Sequence, residues 1–429
     1  MTGFWSIGFA QDHSAESGLD TTVHSNDATH DTSHETAGTH GEGGHGCECH
    51  EHEEAGFDPK LTAFHHIGDA NVFHVWGDFY APLPCILYAP DQGLSFFMSS
   101  KFGIGEHGTG EKAVDRYVLY DGWVMRVPDT KFPVGEVEID CINHQVVEVE
   151  EKGKKKEKDV YEVVYKGECY ALDKKTTWDA GLLGGGVTSF YDFSITKNVF
   201  TMLLMFILLF WMFSSVAKAY KTRSGQAPKG LQSFIEPIFT FIRDEVAIPF
   251  LGHKYERYLP YLMSIFFFIL GLNLIGQLPI FPGSGNVTGN LAVTAALALF
   301  TFFVVNLSGN KHYWEHTLWM PGVPALIKIL ILTPVEVMGL FLRPLTLMLR
   351  LFANITAGHV VIIIFVGLIF IFGQSGANLG GGIIGILMSI PLTLFMMAIE
   401  LLVAFIQAFV FCMLTASYIS AAIEEPHHH

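Results

Sequence analysis

Apolar positions divide this chain into two materials. From Asn198 onward they form blocks long enough to cross a bilayer, whereas upstream they alternate in short runs or are nearly absent. Asn198 to Ala217 is an uncharged run of about the twenty residues that one span requires. Tyr258 to Asn310 contains no Asp, Glu, Lys or Arg and is too long for one span, and Pro282-Gly283-Ser284-Gly285 breaks it in two. A further apolar run of about fifty residues, Pro321 to Phe372, leads through a Gly-rich turn (Gly373–Gly382) into about forty more. As one helix, fifty residues would extend about 75 Å, against a hydrocarbon core of about 30 Å. These last segments therefore either break or cross strongly tilted.

Upstream the pattern changes twice. Residues 1–60 are Gly, Ser, Thr, Glu, Asp and His with almost no aliphatics after the first ten, a disordered acidic His-rich tail. Its first residues, MTGFWSIGFAQD, hold the short apolar run of a signal-peptide remnant with Ala10 before a cleavage point, but no basic flank. Residues 61–180 show period-two alternation and turn residues, predicting a β-rich domain. YVLYDGWVMRV carries an Asp121-Gly122 hairpin signal, and EVEID, HQVVEVE and DVYEVVY follow as strands. The basic run EKGKKKEK reads as a solvated loop between the last two, and His65, His66 and His74 read as core or surface residues. Gly181–Gly186 reads as a hinge before the membrane domain, 197–425.

Charge orients this arrangement. The formal net charge of −16 comes largely from the first half and excludes nucleic acid as a partner. Lys218, Lys221, Arg223, Lys229, Arg243, Lys254 and Arg257 cluster after the first span. By the positive-inside rule that segment is cytoplasmic and residues 1–196 lie outside. Within it, LQSFIEPIFTFIRDEV has helical apolar spacing and is expected along the membrane surface.

Candidate chemistry lies in two places. HGEGGHGCECHEH offers His40, His45, Cys47, Cys49, His50 and His52, donors suited to zinc or copper, although C-x-C with scattered His is not a finger spacing. Cys85, Cys141 and Cys169 lie in the β-rich region, where Cys141 is expected to pair with one of the other two in an oxidising compartment. The second place is the hydrophobic half. Glu336, Arg343 and Arg350 are seven apart, on one helix face, joined one turn later by Asn354. His359 is about 180° round the same helix from Arg350. Glu400 and Gln407, again seven apart, share a face of the next helix. Ionisable groups in hydrocarbon persist where they face partners, a bundle interior or water, so this pattern predicts an ion pathway. Asn273 and Gln277, on one face of an earlier span, are channel lining or ordinary interhelical hydrogen bonds.

LRPLTLMLRLFANITAGH, followed by AIELLVAFIQAFVFCMLTASYISAA, closely resembles subunit a of the F-type ATP synthase membrane sector, over roughly 195 to 425. The family's essential Arg in its L-R-L-F-x-N-x-x-A-G context matches Arg350, Asn354 and Gly358, and its Gln on the next helix matches Gln407. The resemblance implies five transmembrane helices, the last two a long tilted hairpin against a rotating ring of c subunits, with the C-terminus cytoplasmic. It implies a multi-pass protein of the bacterial inner membrane, with the c-ring, the peripheral-stalk b subunits and the rest of the synthase as partners. It further implies two offset half-channels: Glu336 and Arg343 lining the inner one, His359 and Glu400 the outer one, and Arg350 between them. Many relatives have an acid on the first helix and a His on the second, an order reversed here, and Gly276 and Gln277 stand where some carry an acid. No G-x-x-x-x-G-K-[ST] loop is present, so no catalytic site for ATP and no cofactor is expected on this chain, zinc on the tail apart. A secondary transporter would show repeated spans, and none is seen; a metal-delivery protein leaves Arg350 with Glu400 unexplained.

Overall fold

The computed structural model describes residues 49, 68–76, 79–105, 108–151, 154–177, 186–223, 225–278, 285–319, 330, 332–373 and 379–424. Strand pairing begins at β1 (Val72–Trp76) and β2 (Phe79–Pro82), an antiparallel pair. β3 (Pro84–Ala89) pairs with β4 (Gly93–Met98), and alternate residues Cys85, Leu87 and Ala89 point into the core. β5 (Lys112–Val114), β6 (Tyr117–Tyr120), β7 (Trp123–Arg126) and β8 (Glu136–Glu138) form a four-stranded sheet in the order β7-β6-β5-β8. The expected Asp121-Gly122 hairpin closes it, Tyr120 opposite Trp123, with φ of 57° and 78° at the two turn residues. Asp and Gly tolerate that left-handed backbone better than other residues.

β9 (Cys141–Glu151), β10 (Lys154–Tyr165) and β11 (Glu168–Ala171) make a third sheet. Here the basic loop of the sequence reading is corrected. Lys154, Lys155 and Lys156 belong to β10, with Lys154 opposite Glu151 and Lys155 opposite Glu150. The β-rich region also continues past the Gly-rich stretch. β12 (Tyr191–Asp192) pairs with β3, and Phe190 is fully buried beside Tyr117. The described part of that stretch is Gly186; the rest of the expected hinge lies outside the described residues.

The disulfide expectation is likewise corrected. Cys141 is bonded to Cys49, with Cα atoms 5.9 Å apart, and Cys169 is also in a disulfide, to a residue outside the described ones. Cys85 stays a thiol because it is fully buried in β3, and that burial pushes its pKa up to about 12.

The helical half starts without a linker. α1 (Lys197–Thr222) follows β12 within a few residues, Lys197 N donates to Ala70 O at 2.9 Å, and Phe200 packs edge-on to Phe73 of β1. α2 (Leu231–Ile242) runs through a π-helical turn, Arg243–Ala247, and a short turn at Gly252–Lys254 into α3 (Tyr255–Gly276). α4 (Leu291–Leu307) and α5 (Lys311–Trp319) precede the two longest helices, α6 (Thr333–Gly373) and α7 (Leu379–Ile423). Among the described residues, four helical stretches are long and apolar enough to cross a membrane: Lys197–Thr222, Leu231–Gly276, Thr333–Gly373 and Gly380–Ile423. α4 is equally apolar but has 17 residues. Outward-facing Leu203, Phe206, Ile207, Phe210 and Trp211 give α1 the surface of a helix bathed in hydrocarbon.

α7 is the hub. Its Ala408, Phe411 and Cys412 share one buried core with Leu262, Phe266 and Ile269 of α3 and with Leu347, Leu351 and Ile355 of α6. Ala404, Ala408, Cys412 and Ala416, one turn apart and each fully buried, let the backbones close; without a hydrophobic drive in lipid, such packing is what holds helices together. α6 and α7 form an antiparallel hairpin, each helix continuous through a proline, Pro344 and Pro391. Near the turn a methyl on Gly385 would lie 3.0 Å from Ile369 Cα, so the close approach depends on glycine.

Candidate functional site

The hairpin register decides which polar residues meet. Ser389 Oγ donates to Phe365 O (2.6 Å) near the turn, and further down the antiparallel pair His359 faces Glu400 and Asn354 faces Gln407. His359 Nδ1 and Glu400 Oε1 are 2.5 Å apart, and the Glu400 residue is only 4 % exposed. A carboxylate this deep in an apolar bundle requires a charged or hydrogen-bonding partner, and the imidazole supplies it. Gly358 makes the room: a methyl there would sit 3.0 Å from Glu400 Oε1. The imidazole and the carboxylate are in direct contact, with the His359 side chain 15 % exposed and that of Glu400 4 %.

α3 closes this pair from the other side. Gln277 Nε2 donates to Glu400 O (3.0 Å) and Asn273 Nδ2 to Ala404 O (3.4 Å), while Thr288 Oγ1 donates to Asn273 Oδ1 (2.8 Å). Of the two readings open for Asn273 and Gln277, the interhelical hydrogen bond is the one present. Gly276, without a side chain, lies beside the imidazole: a methyl there would be 3.8 Å from His359 Nε2.

One level along the hairpin, Asn354 Nδ2 donates to Gln407 Oε1 (2.8 Å), while Gln407 Nε2 is buried without a partner. Arg350 is exposed on the outward side of α6, one turn from Asn354, with Leu347 and Leu351 packing inward beside it. It makes no ion pair or side-chain hydrogen bond among the described residues. Nine residues separate Arg350 from His359, about 14 Å along a helix axis. The structure thus brings together His359, Glu400, Asn354 and Gln407, leaves Arg350 beside them as a charge without an internal partner, and keeps Glu336 and Arg343 elsewhere. Arg343 sits in a separate crevice with Asn306, Tyr313 and Tyr418, its guanidinium 5.5 Å from the Tyr418 ring centre. Glu336 is half-buried a further seven residues toward the start of α6.

With the geometry in place, comparison with known proteins is decisive. Residues 199–420, just over half of the chain, match the family model for the ATP synthase A chain. The chain belongs to that family. It is similar to ATP synthase subunit a of Chloroherpeton thalassium, 40% identical over 244 residues that make up 56% of this chain and 69% of that protein. It is similar to ATP synthase subunit a 2 of Chlorobaculum tepidum, 40% identical over 242 residues, 54% of this chain and 64% of the relative. Against subunit a of Anaeromyxobacter dehalogenans the identity is 38% over 276 residues, 62% and 68% of the two chains. The matched part of the chain therefore spans about two thirds of the length of these relatives.

The ATP synthase A chain region carries every residue of the hairpin site. The upstream residues 62–180 match a separate model, Domain of unknown function (DUF8433). Of the six proposed metal donors, His40, His45, Cys47, His50 and His52 lie outside the described residues. Cys49 is removed from that set, since a sulfur bonded to Cys141 is no thiolate. Among the described residues there is no cluster of metal-ligating groups. Sequence reading missed Thr288 and the spatial role of Gly358; the latter carried a signal, a glycine inside an otherwise bulky helix facing a buried acid.

Proposed function

We propose that this chain is the proton-channel stator subunit of an F-type ATP synthase, multi-pass in a bacterial inner membrane, with its β-rich half outside and its C-terminus in the cytoplasm. Membership of the ATP synthase A chain family supports the general role. The observation that carries the detail is the pairing of His359 with Glu400 beside an Arg350 without an internal partner. Protons enter from the β-rich side and pass between His359 and Glu400. They then neutralise a carboxylate on a c subunit, which can afterwards face lipid as the ring turns. They leave by a second half-channel toward the cytoplasm, along Arg343 and Glu336. Arg350 stands between the two paths. Its guanidinium stays charged at any physiological pH, attracts the deprotonated c-ring carboxylate and keeps protons from crossing directly. Asn354 and Gln407 brace the hairpin at this level.

Helices of 41 and 45 residues are about 60 and 70 Å long, twice the hydrocarbon thickness, so the hairpin crosses strongly tilted. That tilt lets it lie along the curved wall of a c-ring. α4 is then the fifth span, and α2 lies along the cytoplasmic surface. The peripheral-stalk b subunits hold this chain still against the ring.

The pair offers a test of the relay. In purified complex in vesicles, His359→Glu combined with Glu400→His keeps one imidazole and one carboxylate in contact, and should retain more ATP-driven proton pumping than either single change. A double exchange no better than the worse single variant would count against His359 and Glu400 acting as one relay.

A further inference from the structure

The end of the bundle beneath the β-rich region holds polar groups that the mechanism so far leaves unused. α1 begins at Thr196, whose own side chain makes no cap bond. The cap comes instead from Asp69, 129 positions earlier, whose Oδ1 accepts from Asn198 N at 3.1 Å. A carboxylate there satisfies an orphan helix donor and faces the positive end of the helix dipole. One turn on, fully buried Thr201 donates to Lys197 O (2.8 Å). The loop before α4 presses onto this turn: a methyl on Gly285 would lie 2.9 Å from Thr201 Oγ1. A methyl on Gly276 would lie 3.1 Å from Gly285 O and 3.8 Å from His359 Nε2. Asp69, Asn198, Thr201, Gly285, Gly276 and His359 therefore follow one another from the β-rich region to the proton-transfer pair.

Buried polar atoms along this line lack partners. Asn198 Oδ1, Thr196 Oγ1 and Asn286 Nδ2 are each buried with no hydrogen bond, in residues 2 %, 6 % and 2 % exposed. Unpaired buried groups clustered in this way mark places that ordered water occupies.

We propose that this succession is a water-bearing access path to His359 and Glu400, and that the β-rich region forms its mouth through Asp69. The inference rests on the proton-channel reading and gives the domain of unknown function a role there. It holds the Asp69 carboxylate over the entrance, where it offsets the positive charge of Lys197 that would otherwise repel protons. It also fixes the top of α1 so that the path keeps its shape.

The test uses the whole complex in vesicles, with proton flux driven from the β-rich side. Asp69→Asn keeps an acceptor for Asn198 N but removes the charge. It should lower flux about tenfold at low salt and less at high salt, with the melting of the β-rich region unchanged. Thr201→Cys should react with a small membrane-impermeant methanethiosulfonate added on that side, and reaction should block flux. The parent, whose Cys85 and Cys412 are buried, is the unreactive control. Parental flux in Asp69→Asn, or an unreactive Thr201→Cys, would overturn the assigned path. Glu400→Gln in the same vesicles separates the two levels. If it abolishes flux while the Asp69 and Thr201 variants behave as the parent, the path is wrong and the channel reading stands; if it leaves flux intact, both fall.

Discussion

Two arginines show how differently the halves of this molecule use charge. In the β-rich region Arg126 is 1 % exposed, and its Nη2 bonds both oxygens of Asp91, at 2.6 and 2.7 Å. Its Nη1 donates to Ser189 O at 3.2 Å, and its guanidinium lies 5.7 Å from the Tyr117 ring centre. That charge is consumed by its own chain and ties β7 to the segment that leads into α1. In the helical half Arg350 faces outward with no partner among the described residues. A charge satisfied internally stabilises a fold. A charge left unsatisfied in an apolar setting implies a partner on another molecule, and that partner is where function lies.

If this contrast is correct, the first half should fail by unfolding and the second by losing transport. The largest stability effect is expected from Cys49→Ser. The Cys49–Cys141 bond closes a loop spanning 92 positions, which in the chain-entropy picture stabilises by about 4 kcal/mol. Calorimetry of the solubilised complex should show the β-rich transition falling by many degrees while the helical one stays. Arg126→Met follows, at about 1–3 kcal/mol, because it leaves Ser189 O without its donor, while the exposed Asp91 keeps its contact with Arg116 at 3.3 Å. Proton pumping per folded complex should be unchanged; a selective loss of pumping would erase the contrast.

Gly358→Ala sharpens the other side. The added methyl presses on Glu400 Oε1, so the carboxylate shifts away from His359 at a stability cost of about 1 kcal/mol. Transport should fall well beyond that cost, and a pumping rate equal to the parent's would show that the His359 contact is dispensable. The smallest effect concerns pH. The hydrogen bond from Arg126 holds the Asp91 carboxyl below its ordinary value. The stability it contributes is therefore complete above the ordinary carboxylate range and is lost as pH falls through the lowered value. Arg126→Met should remove that acid-side dependence of the β-rich transition, and an unchanged acid limb would assign it to other carboxylates.

Much of this was legible in the residues. Hydropathy blocks marked the long helices and the hairpin, because apolar runs of that length have few other uses. Heptad spacing put Glu400 with Gln407, and a one-turn spacing put Arg350 with Asn354, since helix geometry alone fixes which residues share a face. The Asp121-Gly122 hairpin was equally plain. The register between α6 and α7 was not. It depends on glycine contacts near the turn, as at Gly385 against Ile369, and a shift of one turn would have separated His359 from Glu400. Pairings across long stretches of chain were also hidden. Nothing local points from Cys141 to Cys49 or from Asp69 to the start of α1, and composition at Lys154–Lys156 favoured a loop where the strand ladder continues.

The central claim is that Arg350 is held without an internal partner so that it can meet a carboxylate on the c-ring. Pumping by purified complex carrying Arg350→Ala, read as ATP-driven acidification of vesicles, tests it most directly. Assembly should be normal, because no side-chain hydrogen bond or ion pair among the described residues is lost, and coupled transport should vanish in both the synthesis and hydrolysis directions. Arg350→Lys should fail as well, since it keeps a charge but loses the planar, permanently protonated fork. Near-normal acidification by Arg350→Ala would contradict the account.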